Sequence, residues 1–226
     1  MYPLLVDLGR VPALLVGDGA AAARRLAQLD EAGAKRLRIF SAAPDPALEA
    51  LAGSRLERRL PSTDEIAAAR LLFIADLPAE TAERLAGLAD AAGVLVHAED
   101  RPALCDLNTP ALVRRGDLLV TISTNGRSPT LARRLRQFLE QLLVADWADR
   151  VTRVGALRDR LRATGASLAA VGQASEALID EERWLPPVRA TALRAPAQRE
   201  ASASRFSQSR NSSTLGSRAL VSGQTR

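Results

Sequence analysis

The segment Leu14-Leu15-Val16-Gly17-Asp18-Gly19, followed by the alanine-rich residues 20–32, decides the fold of this chain. Its apolar residues predict a short buried strand, its glycines predict a tight turn, and residues 20–32 predict a helix that Gly33 ends. A strand, a glycine turn and a helix in this order are typical of the first unit of a nucleotide-binding α/β domain. We therefore expect such a unit over residues 1–110, with a pyrophosphate at the glycine turn.

Strands and helices keep alternating after this turn. The apolar run Leu71–Ala75 is typical of a strand that is buried on both faces. Alternation of strands and helices predicts a parallel, doubly wound sheet, which binds its ligands at the carboxyl ends of the strands. Further strands are predicted at residues 37–40, 56–60 and 94–96, and helices at residues 46–52, 64–69 and 79–92.

The pattern changes after Pro110. Residues 117–123 predict another strand, and a helix with a strong apolar face begins at Pro129 after a polar turn, with Ser128 as its cap. The fold class is therefore α/β, with a Rossmann-type parallel sheet domain, a strand and helix segment, and a small helical domain. The last of these is predicted from helices at residues 146–164 and 166–184.

The net positive charge of the chain comes from its C-terminal end. The 226 residues carry a net charge of +5. Residues 189–226 hold seven arginines and one acid, a charge of +6, which leaves 24 basic and 25 acidic residues elsewhere. This serine-rich tail has no helical or alternating apolar period, so we expect it to be disordered. Because the body is not basic, we expect no nucleic acid as a partner.

Cys105 is the single cysteine, which excludes an internal disulfide and a cysteine-based metal site within one chain. No apolar run reaches the roughly 18 residues of a membrane span, and Met1-Tyr2-Pro3-Leu4 is unlike the start of a signal peptide. We expect a cytoplasmic protein with no membrane partner and no resident metal.

The glycine turn has the spacing Gly17-x-Gly19-x-x-Ala22. This spacing lets the backbone approach a pyrophosphate while the amides of Ala20 and Ala21 point at it from the start of the helix. A tight turn without a ligand is the alternative. Asp18 is unfavourable here, because its carboxylate would repel the diphosphate unless the side chain faces solvent or a ribose hydroxyl.

The end of the second predicted strand lacks the acidic residue that commonly binds the adenosine ribose. It reads Phe40-Ser41-Ala42-Ala43, so the side chain of Ser41 and the backbone of Ala42 and Ala43 would have to contact the ribose or the adenine. Arg38 lies inside the strand, so no site for a 2′-phosphate is evident. NAD is therefore favoured over NADP as the cofactor.

Several segments carry a resemblance to a known family. They are residues 2–8, the Val-Gly-Asp-Gly turn with Arg24-Arg25, residues 99–107, and above all the long stretch 108–136. Over residues 1–188 the chain resembles the precorrin-2 dehydrogenase and sirohydrochlorin ferrochelatase family, the N-terminal module of siroheme synthase. The resemblance implies that NAD oxidises precorrin-2 to sirohydrochlorin. In many members of this family, ferrous iron, as a further substrate, is then inserted to give siroheme.

The resemblance also implies a catalytic carboxylate. The family motif Asn-x-x-Asp-x-Pro here reads His97-Ala98-Glu99-Asp100-Arg101-Pro102. Asp100 would accept a proton as hydride leaves the substrate, and a cap of the turn before Pro102 is its alternative role. His97 replaces the family's asparagine. It is either a second acid/base or iron ligand, or a strand-end residue bonded to the backbone or to the cofactor amide.

The turn Thr124-Asn125-Gly126-Arg127-Ser128 resembles the family's Ser-Gly-Gly-x-Ser-Pro stretch, which lies near the tetrapyrrole pocket. Its hydroxyls, its amides and Arg127 suit a substrate rimmed by carboxylates. Capping of a helix by Ser128 alone is the plain alternative, and both roles are compatible.

The resemblance further implies a homodimer. Around Asp76-Leu77-Pro78 the chain departs from the family pattern, which alters the wall of the NAD site. Two other functions stay open, namely a dehydrogenase without chelatase activity and a non-enzymatic NAD-sensing regulatory module. The predicted divisions are an NAD-binding domain (1–110), a dimerisation region (111–147), a helical domain (148–188) and the basic tail (189–226).

Overall fold

The computed structural model describes residues 2–186. A first compact unit ends at Ala156 and a second begins at Leu157. The disordered tail predicted for residues 189–226 lies outside the described residues. The domain boundaries drawn from the sequence stay predictions.

A parallel sheet forms the centre of the first unit. Its strands are β1 (Ala13–Gly17), β2 (Leu37–Phe40), β3 (Leu56–Glu57), β4 (Leu71–Ala75) and β5 (Leu95–Ala98). Their order is β3-β2-β1-β4-β5, and every neighbouring pair is parallel. The doubly wound sheet expected from the sequence is confirmed. β3 is shorter than the predicted residues 56–60, and β5 extends two residues beyond the predicted 94–96.

Helices cover both faces of this sheet. They are α1 (Ala20–Glu31), α2 (Pro46–Ala52), α3 (Thr63–Ala67) and α4 (Ala79–Ala91). In β1, Leu15 belongs to the apolar cluster that contains Leu26 of α1, whereas its neighbour Leu14 belongs to the cluster that contains Leu85 of α4. Because successive side chains of a strand point to opposite faces, strands covered on both sides are apolar throughout.

An antiparallel hairpin of β6 (Ala111–Arg115) and β7 (Leu118–Ile122) follows the sheet, and α5 (Pro129–Leu142) comes after it. The chain turns at Gly116, whose φ of +57° favours glycine. Arg115 donates hydrogen bonds to the carbonyl oxygens of Leu143 (2.6 Å) and Glu140 (3.1 Å), which holds the hairpin against the end of α5. The sequence predicted β7 but not β6, because two of the five residues of β6 are arginines and its apolar pattern is short.

Two further helices agree with the sequence predictions to within a few residues. They are α6 (Trp147–Ala163) and α7 (Leu168–Glu181). The Oγ of Ser167 accepts a hydrogen bond from the amide of Ala170 at 3.2 Å and so caps α7. Within residues 2–186, no helix combines the length and the apolar character that crossing a membrane requires.

Candidate functional site

The two glycines of the first turn lie where their surroundings leave no room for a Cβ atom. A Cβ on Gly17 would lie 2.3 Å from the carbonyl oxygen of Ala75 at the end of β4, and 2.8 Å from the Cβ of Ala22. A Cβ on Gly19 would lie 2.4 Å from Oδ2 of Asp76. Gly17 therefore lets β1, β4 and α1 pack closely, as the glycine spacing predicted. Gly19 makes room for a side chain that follows β4.

That side chain, Asp76, binds the N-terminus of α1. Its Oδ2 accepts a hydrogen bond from the amide of Ala21 at 2.5 Å. Gly19, which caps α1, offers no side chain of its own for this amide. A negative group is favourable here, because the first amides of a helix are unpaired and carry partial positive charge. Asp76 therefore occupies part of the anion site that the sequence predicted for the pyrophosphate.

The residues at this turn fit a dinucleotide. A carboxylate oxygen already bound to the amide of Ala21 demonstrates that the start of α1 accepts an anionic oxygen at this place. A diphosphate would take the same hydrogen bond once Asp76 turned away, and Gly19 would then present no side chain to it. The amides of Ala20 and Ala21 and the turn from Gly17 to Gly19 are the groups that would hold it.

Replacement of Asp76 by asparagine is expected to tighten NAD binding. The variant keeps the size of the side chain and tolerates the φ of +51° at this position, but it removes the charge that competes with the diphosphate. Because a charge at a helix N-terminus contributes about 0.3–1 kcal/mol, the dissociation constant should fall by a factor of about 2 to 5, measured by titration calorimetry.

A matched control for this variant is Glu80→Gln, which removes an exposed charge from the first turn of α4. Its NAD affinity should equal that of the unaltered protein. If Asp76→Asn bound NAD no more tightly than Glu80→Gln, competition by Asp76 would be wrong.

Asp18 turns away from the start of α1. Its Oδ1 accepts hydrogen bonds from the hydroxyl of Ser41 (2.6 Å) and from the amides of Ala42 (3.1 Å) and Ala43 (3.2 Å). Its carbonyl oxygen accepts a hydrogen bond from the amide of Asp45 at 2.6 Å. The side chain therefore reaches across the sheet edge to the end of β2. The donors of residues 41–43, predicted to contact the cofactor, are bonded to Asp18 in the structure.

A polar cluster lies at the end of β5. The guanidinium of Arg25, only 7% exposed, pairs with Glu99, with Nε at 2.9 Å from Oε1, and also donates to Thr109 (3.2 Å) and to Nε2 of His97 (3.1 Å). Nδ1 of His97 donates to the carbonyl oxygen of Leu107 at 3.1 Å. Nδ1 therefore carries the proton and Nε2 accepts.

Burial lowers the pKa of His97, which favours the neutral ring that these hydrogen bonds require. The bond from Nδ1 to the backbone agrees with the interpretation of His97 as a strand-end residue. Both ring nitrogens have partners within the protein, so the ring is held in place by the fold. Its predicted contact with the cofactor stays a prediction.

Asp100 lies exposed in the turn directly after β5. Its φ of +56° is uncommon for a residue other than glycine, and such backbone strain persists only where the surroundings impose it. The amide of Glu99 donates to the carbonyl oxygen of Ile74 (2.9 Å), and Arg101 closes the turn on Ala98 (3.3 Å). The turn thus holds Asp100 at the carboxyl edge of the sheet, next to the end of β4.

The alternative role of Asp100, in the turn before Pro102, agrees with its position, because Asp100 is the third residue of the turn that Arg101 closes on Ala98. The short 3₁₀ helix Pro102–Leu104 begins after Arg101 and has no side-chain cap. The left-handed conformation of Asp100 therefore belongs to the turn of residues 98–101, because a type II turn needs a positive φ at its third residue. The case for a catalytic role rests on the family motif and on the exposed carboxylate at the carboxyl edge of the sheet.

The turn that precedes α5 is organised by its own hydroxyl groups. Oγ1 of Thr124 accepts a hydrogen bond from the amide of Ser128 at 3.1 Å, and Oγ of Ser128 accepts one from the amide of Leu131 at 3.2 Å. Capping of α5 by Ser128 is therefore confirmed. Asn125 adopts the left-handed conformation (φ +51°) expected of an asparagine that stands in place of glycine, and Arg127 is exposed.

The structure brings some of the predicted site residues together and leaves others apart. Asp18 of the glycine turn is bonded to residues 41–43, and Asp76 is bonded to Ala21 at the start of α1. Among residues 2–186, no hydrogen bond joins the turn 124–128 to Asp100. Contact of both with one substrate stays a prediction.

Sequence reasoning missed Arg25 and Glu99. One signal was present, because Arg25 falls on the same helical face as Ala22, Leu26 and Leu29, which are buried. A charge on a buried face needs a partner, but helical periodicity does not say which residue supplies it.

Two family models match the chain. A model described as putative NAD(P)-binding matches residues 4–111, and a model described as sirohaem biosynthesis protein central matches residues 115–142. The expectation of a nucleotide-binding unit in the first 110 residues is confirmed by the first match.

Curated relatives agree with both models. The chain is 35% identical to siroheme synthase 1 of Aeromonas salmonicida over 184 residues, which cover 80% of this chain and 39% of that protein. It is 31% identical to the siroheme synthase of Methylococcus capsulatus over 163 residues, 71% of this chain and 34% of that protein. Over most of its length this chain is therefore similar to siroheme synthases, as the sequence resemblance implied. It spans less than half the length of these siroheme synthases.

A solved structure confirms the fold of this siroheme synthase relative. SirC, described as a precorrin-2 dehydrogenase, superposes with a TM-score of 0.66 at 19% sequence identity, covering 83% of this chain and 94% of that one. The likeness at this identity concerns the fold alone.

Proposed function

We propose that this chain is a cytoplasmic, NAD-dependent dehydrogenase that oxidises precorrin-2 to sirohydrochlorin in siroheme biosynthesis. The observation that carries the proposal is Asp100, an exposed carboxylate in a left-handed turn at the carboxyl edge of an NAD(P)-binding sheet. The similarity to siroheme synthases and the likeness in fold to a protein described as a precorrin-2 dehydrogenase support it.

Several residues of the first domain bind the cofactor in this proposal. The amides of Ala20 and Ala21 bind the diphosphate, and Gly17 and Gly19 let the turn approach it. The chemistry that NAD supplies when bound is the acceptance of a hydride from the substrate. His97, held by hydrogen bonds at the end of β5 next to β4, would border the cofactor in this proposal.

Asp100 completes the reaction. Removal of two hydrogen atoms from precorrin-2 releases one hydride and one proton, and a carboxylate next to the substrate takes the proton. The turn holds the backbone of Asp100 at the carboxyl edge of the sheet before substrate arrives, which lowers the entropy that positioning would cost. Insertion of ferrous iron into the product stays a prediction of the family resemblance.

The turn from Thr124 to Ser128 binds the tetrapyrrole in this proposal. Its exposed Arg127 pairs with acetate or propionate carboxylates of the substrate, because a guanidinium binds a carboxylate through two hydrogen bonds. The exposed backbone at Asn125 and Gly126 leaves space for a large planar ligand.

The decisive experiment is anaerobic incubation of the protein with precorrin-2 and NAD, followed by absorbance. Appearance of sirohydrochlorin with equimolar NADH is expected. Tight binding of NAD without any turnover would overturn the dehydrogenase and favour the NAD-sensing regulatory module.

A homodimer is also part of the proposal. The apolar face of α5 is exposed in the single chain at Leu131, Leu135, Phe138 and Leu142, with side chains 40–56% accessible. A contiguous apolar face of this kind is typical of an interface, and a second copy of the same helix matches it. Size-exclusion chromatography with light scattering at micromolar concentration should give twice the mass of 24.1 kDa, and a monomer would contradict the proposal.

A further inference from the structure

The end of β2 lacks an acid, yet a carboxylate lies there in the structure. It comes from Asp18 in the glycine turn, whose Oδ1 takes the hydrogen bonds of Ser41, Ala42 and Ala43. β1 and β2 are adjacent parallel strands, so both ends lie at the edge where such sheets bind nucleotides. A residue of β1's turn therefore fills the position that a residue following β2 fills in other dinucleotide-binding domains.

The two oxygens of Asp18 have different surroundings. All hydrogen bonds of this carboxylate go to Oδ1, and within the described part of the chain Oδ2 has no hydrogen-bond partner. The side chain is half-buried and is further fixed by the bond of its own carbonyl to Asp45. Asp18 is thus a carboxylate held by one oxygen with the other free to accept a hydrogen bond.

We propose that Oδ2 of Asp18 accepts a hydrogen bond from a hydroxyl of the adenosine ribose and thereby selects NAD against NADP. This inference rests on the proposed function, because it presupposes a dinucleotide at the glycine turn. A carboxylate at this place favours a ribose with a free 2′-hydroxyl, and it repels the dianionic 2′-phosphate of NADP.

The arginines near the end of β2 do not offset this preference. Arg38 pairs with Glu57 and Glu65, each at 2.6 Å, and Arg59 pairs with Glu65 at 2.7 Å and with Glu57 at 2.5 Å. Because the two carboxylates neutralise the two guanidinium groups, this cluster attracts a 2′-phosphate only weakly. The local electrostatics therefore act in the same direction as Asp18.

The test is the ratio of the dissociation constants of NADP and NAD, measured by titration calorimetry on the full chain. Asp18→Asn is the informative variant, because the amide oxygen of asparagine can keep all three hydrogen bonds to residues 41–43 while the free oxygen becomes an uncharged donor. The unaltered protein should bind NAD at least tenfold more tightly than NADP. In the variant this ratio should fall about tenfold or more, since a hydrogen bond to a charged group is lost and a repulsion is removed.

Two further variants separate binding of ribose from support of the loop. Ser41→Ala removes one bond that anchors Asp18 but keeps the carboxylate, so affinities for both cofactors should fall while the ratio stays above one. Asp64→Asn removes an exposed charge from α3 and should leave the ratio unchanged.

The outcomes distinguish the inference from the function on which it rests. If the unaltered protein prefers NAD and Asp18→Asn keeps that preference, Asp18 only supports the loop and the inference is overturned. If the unaltered protein binds neither cofactor, the dinucleotide site and the proposed function fall together with it. Thermal melts of each variant confirm that the ratio is measured on folded protein.

Discussion

Asp100→Asn is expected to slow the oxidation of precorrin-2 by about 10²- to 10⁴-fold, the range typical of a lost general base. Asparagine has the same shape and also tolerates the left-handed backbone at this position, so the turn after β5 should keep its geometry. Affinity for NAD should be unchanged, because the groups proposed to hold the diphosphate lie at the start of α1. Rates are measured from NADH formation at saturating NAD and precorrin-2.

The control for this variant is Asp90→Asn, which makes the same chemical change at an exposed position of α4. It should retain the full rate. An Asp100→Asn protein with an unaltered rate would remove Asp100 from the chemistry. A parallel loss of NAD affinity would assign it to cofactor binding instead.

Gly17→Ala is expected to destabilise the fold by about 1–3 kcal/mol or more, the cost of overpacking a close-packed site. The added Cβ would lie 2.3 Å from a backbone oxygen of β4, and a backbone atom of a central strand cannot move without separating β1 from β4. Urea denaturation followed by circular dichroism measures the loss. Because the same glycine shapes the cofactor turn, NAD affinity should fall as well.

Gly87→Ala provides the opposite case. Gly87 lies within α4 with open space where a Cβ would lie, so alanine there should stabilise the protein by about 0.5–1 kcal/mol through helix propensity. Equal changes in the free energy of unfolding for the two substitutions would contradict the close contact between position 17 and the carbonyl oxygen of Ala75.

The elements of the sheet domain could be predicted from the sequence because their signals are local. Apolar runs such as Leu71–Ala75 identify buried strands, and the alternation with helices leaves few topologies other than a parallel sheet. The glycine turn was also within reach through its spacing, whereas the role of Asp100 comes from a family motif and stays a prediction.

The contacts that decide the chemistry of the site were not local. Asp76 meets Ala21 across 55 residues of sequence, and Arg25 meets Glu99 across 74. No period or propensity encodes such pairings, because they depend on which strand ends become neighbours after folding. Asp18 illustrates this limit, since the sequence raised the expected repulsion of a diphosphate but could not show that the side chain turns to the end of β2.

The hydrogen bond from Ala21 to Asp76 has a kinetic consequence. An oxidoreductase must discharge its reduced cofactor after every turnover, and in many enzymes that discharge limits the overall rate. When the diphosphate leaves, the carboxylate of Asp76 can accept the hydrogen bond from the amide of Ala21 again. This amide at the start of α1 then has a partner in both the free and the bound protein. We therefore expect Asp76, which is predicted to weaken the equilibrium binding of NAD, also to shorten the residence time of NADH, because its carboxylate competes with the diphosphate for the amide of Ala21.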